Sequence, residues 1–245
     1  MKKIVASFAV LAVCAALLCG CFALPAATKT IQPAATASLL AVKPGTLSVG
    51  FSYEEAMKAF EEIAFSAEYG GDRGAIVKWQ EPIRLKVSGK YTQADSATLA
   101  QAIKSINLVN GFPGVSIVEG NGNGEMSFVT LANMADAVPG YVSGNWGFFM
   151  TWRGDSGLTE IKIAIATDVT DQTIRNHLIY EELYQSLGLM QDSNTYPDSI
   201  FYGPWTTVQQ PSRLDWVLLR MLYLPKLQSG MGSGEARLII KEAWD

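Results

Sequence analysis

The chain has 245 residues, 49% of them hydrophobic, with 19 basic and 23 acidic side chains and a formal charge of -4. That is enough apolar sequence for one domain of ordinary size with an ample core. It has no basic run and no interleaving of aromatic with basic residues, so nucleic acid is not an expected partner.

Lys2 and Lys3 open the chain as a positive region, and Ile4 to Leu18 follows as an apolar run too short for a comfortable membrane span. Leu18-Cys19-Gly20-Cys21 comes next and resembles a bacterial lipobox. The resemblance implies a signal peptide over residues 1–20, cleavage before Cys21, and lipid on that cysteine. The plainer alternative is an ordinary secretory signal. Cleavage would remove Cys14 and Cys19, leaving the mature chain without a free thiol or a disulfide. A cysteine-built zinc site and a thiol nucleophile are then excluded. Loss of Lys2 and Lys3 takes the basic count from 19 to 17 against 23 acids, so the charge moves from -4 to -6. Membrane attachment would come from acyl chains rather than a cationic face. Phe22 is not the aspartate usually linked to inner-membrane retention, so lipoprotein sorting in general favours the outer membrane, with the protein facing the periplasm.

Residues 21–48 are rich in Ala, Thr and Pro and read as a tether, leaving 49–245 as a single globular domain. Ala56, Phe60, Ile63, Ala64 and Ala67 recur at helical spacing and predict a helix from Tyr53 to Tyr69, stopped by Gly70-Gly71-Asp72. Pro82 to Ser88 alternates as a strand. Gln93 to Val109 is a second amphipathic helix, with Leu99, Ile103 and Ile106 on one face. Short strands follow at 115–118 and 126–131, separated by turn chemistry at Gly120 to Gly124. Trp146 to Trp152 reads as an aromatic strand, and Leu158 to Ala166 alternates strongly through Ile161, Ile163 and Ile165. A helix over 171–187, capped by Thr170 or Asp168, and one from Arg213 to Tyr223 complete the pattern. The order is α, β, α, four β, then α, α.

The helix over 171–187 carries the most information. At about 3.6 residues per turn, Ile174, Leu178, Glu181 and Gln185 share one stripe, and Ile179, Leu183 and Leu187 lie opposite, flanked by Tyr180 and Tyr184. A helix apolar nearly all round is central and largely buried. A carboxylate on it must be paired, hydrogen-bonded or solvated in a cleft. For Glu181 the plain reading is a structural hydrogen bond to a backbone or Arg group. His177, the only histidine, lies one turn earlier. It reads as a general acid, as a displaced metal ligand, or more simply as half of a solvated His–Glu pair.

Three other motifs carry less. Gly154-Asp155-Ser156-Gly157 looks like a serine-protease nucleophile loop, but the lone histidine follows it, and between two strands it reads as a hairpin turn. Gly120 to Gly124 lacks the Gly-Lys-Ser/Thr of a phosphate loop. Glu181 and Glu182 are neighbours on a helix, about 100° apart, and do not form a glycosidase pair.

The segment Glu181-Glu182-Leu183-Tyr184-Gln185-Ser186-Leu187-Gly188 has the spacing of the H-E-x-x-H-x-x-G helix of zincin metalloproteases. By that resemblance Glu182 stands at the general-base position, Glu181 and Gln185 at the two ligand positions, and Gly188 at the glycine that ends the helix. Both ligand histidines are absent. Oxygen donors alone suit calcium or magnesium better than zinc. A third ligand would fall at Gln191, beside the better donor Asp192. No metal and no cofactor is expected; any ion would use Glu181, Gln185 and Asp192.

Several stretches together resemble a family of bacterial, often lipoprotein, sequences called domain of unknown function 2927. They are Trp79-Gln80-Glu81-Pro82-Ile83, residues 181–193, Ser199-Ile200-Phe201, Leu214-Asp215, Leu218-Leu219-Arg220, Leu222 to Leu227, and Gly230-Met231. They span roughly 55–235. The looser zincin likeness implies an α+β (α/β-like) fold. Its mixed sheet would have four to five strands, an antiparallel edge strand at Trp146 to Trp152, and a central signature helix. The expected function is a zincin-like envelope lipoprotein that has lost its metal ligands. It would serve as a non-catalytic module for a protein or peptide bound beside the edge strand. The alternatives are a divalent-metal-dependent hydrolase with Glu182 as general base and a purely structural envelope lipoprotein.

Overall fold

The computed structural model describes residue 47 and residues 50–244, apart from 68–70 and 73. The expected signal peptide, Cys21 and the tether up to residue 46 lie outside the described residues. Among those described, six helices pack around a five-stranded mixed sheet. Among the described residues no helix is long and apolar enough to cross a membrane.

Helix α1 (Tyr53–Ala64) starts at a capping box. Ser52 accepts from the Glu55 backbone, and the Glu55 carboxylate accepts from the Ser52 N–H. It ends earlier than the helical spacing predicts. Phe65 caps it and sets its ring edge-on to Phe60, and Ala67 falls in a two-residue strand, β1 (Ser66–Ala67), paired with β2 (Gly71–Asp72). Strand β3 (Ile83–Gly89), helix α2 (Gln93–Ile106) and strand β4 (Val115–Val118) form a parallel crossover, with Ile83 opposite Val115. Strand β5 (Gly124–Val129) lies on the other side of β3, followed by a short 3-10 turn and the one-turn helix α3 (Met134–Ala137). Strands β6 (Gly147–Gly154) and β7 (Gly157–Ala166) form a hairpin across Asp155-Ser156, as the Gly-Asp-Ser-Gly pattern predicts.

The sheet order is β4-β3-β5-β7-β6. Every pairing is parallel except β6 with β7, so β6 is an antiparallel edge strand. The last residues of strand β7 are buried on both faces. Ile161, Ile163 and Ile165 enter the main core; Ala164 and Ala166 face a smaller one built by Phe148, Met134, Val138 and Val169. The strict alternation of β7 thus serves two cores at once.

Helix α4 (Gln172–Gln185) packs on β6, β7 and α2, and it is buried from Leu178 to Gln185 without a break. Its N-cap is Asp171, which accepts from the Thr173 N–H at 2.8 Å. The Asp168 carboxylate is engaged elsewhere, accepting from the Leu131 N–H at 3.0 Å. Helix α5 (Arg213–Leu222) packs against α1. The final helix, α6 (Ser233–Trp244), was not legible as an element. It buries Ala236, Ile240 and Trp244, one residue per turn, while Leu238 stands exposed beside that stripe and blurs it.

Candidate functional site

Helix α4 is anchored at both ends by polar groups that its sequence requires to be partnered. Near its start, Arg175 forms a buried ion pair with Asp95 of α2, and Gln172 donates to the same carboxylate at 2.9 Å. At its end the carbonyls left open by the last turn are met by side chains. The Trp79 indole N–H donates to Ser186 O at 3.0 Å, and the Tyr223 hydroxyl donates to Leu187 O at 2.9 Å. Gly188 has φ +122 and sits against Val77 O, where no β-carbon fits. Several stretches that carry the family resemblance therefore meet at the end of α4 as structural pegs. Ser199-Ile200 and Asp215 make another such peg. The Asp215 carboxylate accepts from Ser199 Oγ at 2.5 Å and Ile200 N at 2.9 Å while capping α5. Burial pushes its carboxyl above the ordinary range, against the downward pull of those hydrogen bonds.

The candidate polar residues divide into three pairs along α4. His177 and Glu181 form the first, with Nε2 3.3 Å from Oε2, an ion-pair distance without hydrogen-bond geometry. The His177 Nδ1 lies 2.5 Å from Val208 O. A carbonyl only accepts, so Nδ1 carries the proton there. The pair is not solvated as the sequence suggests: His177 is 0% exposed and Glu181 3%. The segment after α4 returns over the helix and brings Val208 onto the ring.

Gln185 and Asp192 form the second pair. The Gln185 side-chain amide donates to Asp192 Oδ1 at 2.6 Å. Asp192 Cβ lies 3.1 Å from the position a β-carbon would take at Gly203. Because a carboxylate accepts, Gln185 presents its nitrogen, which is no metal donor, toward Asp192. Glu181 meanwhile is turned to His177. The expected ligand residues are thus directed at protein partners, and this arrangement does not fit a zinc site. Among the described residues no three His, Cys, Asp or Glu side chains form a metal-holding group.

Glu182 forms the third pair, with a residue the sequence did not single out. A β-carbon built on Gly147 would stand 2.9 Å from both Cγ and Cδ of Glu182, and closer still to Oε1. Gly147 opens β6, so the acid at the general-base position lies against the edge strand. The tyrosine hydroxyls of α4 stay protonated: burial pushes Tyr180 up to about 12 and also raises Tyr184.

The free side of β6 can be assigned residue by residue. Ala166 N–H donates to Trp146 O at 2.7 Å. Antiparallel pairs alternate between hydrogen-bonded and open positions. With the observed register, Phe148, Met150 and Trp152 turn their backbone groups to β7, and Gly147, Phe149 and Thr151 turn theirs to the free edge. Trp146, just before the strand, meets Trp205 at 5.3 Å with the rings 86° apart. Trp205 was also missed. Its signal was an aromatic residue after Gly-Pro in the turn-rich run 191–212.

No curated protein matches the chain. A family model described as protein of unknown function (DUF2927) matches residues 53–242, and the chain belongs to that family.

Proposed function

We propose that this protein is a non-catalytic, zincin-like binding module that seats an extended peptide along the free edge of β6, held at the cell envelope by lipid on Cys21. The observation that carries the reading is the contact of Glu182 with Gly147, which sets the signature helix directly against the edge strand. The outward backbone groups of the half-buried Phe149 and Thr151 suit an added strand, whose main-chain hydrogen bonds supply affinity while side-chain pockets supply choice. The two ligand positions on α4 support loss of catalysis, because Glu181 and Gln185 are committed to His177 and Asp192. The leader and Leu18-Cys19-Gly20-Cys21 support the anchor.

The test is a display selection of linear random peptides on the purified chain from residue 22 onward. Enriched peptides should lose binding when alternate amides are N-methylated, since that removes donors to the strand edge. Peptides that bind regardless of N-methylation would remove the edge-strand reading. Peptide cleavage that is abolished by Glu182→Gln, and that depends on added divalent ion, would replace it with the hydrolase.

A further inference from the structure

The chain contains three Asn-Gly pairs, at 110–111, 121–122 and 123–124. An asparagine followed by glycine can lose its side-chain ammonia to its own backbone, because the next residue has no side chain to block the approach. The fold treats the three pairs differently. Asn123 is clamped. Its Oδ1 accepts from the Arg84 N–H at 2.7 Å, its Nδ2 donates to Pro82 O at 3.1 Å, and its carbonyl accepts from the Ile161 N–H at 3.0 Å. Gly124, which follows, opens β5 and is buried between Leu85 and Ile161. Asn110 and Gly111 lie inside a turn closed by the Phe112 N–H, which donates to Val109 O at 3.2 Å. Gly111 has φ +84, and a β-carbon there would collide with Tyr223 O, so its backbone is pressed onto that carbonyl. Asn121 has no such restraint. It is exposed and lies between β4 and β5, outside any helix, strand or turn, and its side chain has no hydrogen bond among the described residues.

We infer that Asn121 is a self-modification site, which converts to aspartate and isoaspartate in the folded protein while the same fold protects Asn110 and Asn123. The Gly122 backbone nitrogen gives up its proton and bonds to the amide carbon of the Asn121 side chain. The carbon–nitrogen bond of that amide breaks, and ammonia leaves with the proton. Water then opens the five-membered imide at either carbonyl. Water is consumed, ammonia is released, and a negatively charged carboxylate replaces a neutral amide. Ring closure turns the Asn121 backbone until its side chain meets the next nitrogen. Gly122 rests against Arg84 O, but Gly120 has open space around it, so the chain on that side supplies the movement. The same turn at Asn123 breaks both side-chain hydrogen bonds and disturbs the sheet. At Asn110 it opens the closed turn. Both conversions therefore wait for local unfolding.

The test incubates the folded chain from residue 22 onward in warm, mildly alkaline buffer. Digestion at acidic pH and fragmentation mass spectrometry then locate each change from amide to acid. A parallel sample in urea gives every pair its own unfolded rate. Folded Asn121 should convert within about threefold of its unfolded rate, and folded Asn110 and Asn123 at least about tenfold more slowly than theirs. Asn121→Gln should remove the acidic species that the folded sample accumulates on isoelectric focusing. The inference is overturned if folded Asn121 stays an amide while the unfolded chain converts. It is equally overturned if folded Asn110 or Asn123 keeps its unfolded rate.

Discussion

Glu182 and Gly147 occupy one shared volume: the carboxylate of the central helix lies where a β-carbon on the edge strand would stand. Gly147→Ala should therefore push the helix from the strand and lower stability by about 1–3 kcal/mol. Adding Glu182→Ala should recover part of that loss, because it removes the obstructing group. Urea unfolding of the two single variants and the double variant measures the coupling. Strict additivity would mean that the two residues do not meet.

Glu181 and Glu182 are adjacent but should respond differently. Glu181→Ala leaves the buried Nε2 of His177 facing no carboxylate, and a loss of about 1–3 kcal/mol is expected. Hydrogen exchange should quicken around Val208, which the same imidazole holds. Glu182→Gln keeps the shape against Gly147 and should change the melting temperature little. Equal and negligible effects from both would contradict the paired arrangement.

Lys78 gives the fold a signature on the alkaline side. It is buried, donates to Leu224 O at 3.1 Å, and burial lowers its ammonium to about 8 from the ordinary 10.5. Above about pH 8 the unfolded chain holds a proton there that the folded chain releases, so stability rises with pH. Four tyrosines with raised values, Tyr180, Tyr184, Tyr196 and Tyr223, oppose this near pH 10. The readable window is therefore about pH 8 to 9.5. Lys78→Met should flatten the rise, which is worth about 2 kcal/mol at most after discounting for solvent screening. Unfolding curves at several pH values, wild type against variant, isolate the contribution of Lys78.

Cys21→Ala should abolish incorporation of labelled palmitate in a bacterial host and release the protein from the membrane fraction. Labelling that persists in the variant would rule out Cys21 as the anchor.

The sheet was legible in the sequence because β7 and β3 alternate and β6 is aromatic, and these patterns follow from burial alone. The stripe of Glu181 and Gln185 was legible for the same reason. What escaped were relationships set by tertiary approach. Gly147 has no side chain to signal that it receives Glu182. Val208 meets His177 through a carbonyl, which any residue supplies. Burial of the His177–Glu181 pair depended on the path of the chain after α4, where Ser, Asn, Thr, Tyr and Pro give no period to read. Asp171 caps the helix in place of the expected Thr170 or Asp168, and the Asp168 carboxylate is needed at Leu131.

The register slip between Trp152 and Arg153 bears on what the open edge can carry. Up to Trp152 the outward groups recur every second residue; past it the phase shifts and the local twist grows. A peptide seated there as proposed would keep step only up to Trp152, which would make its footprint short and defined. The same kink denies neighbouring molecules a long flat template.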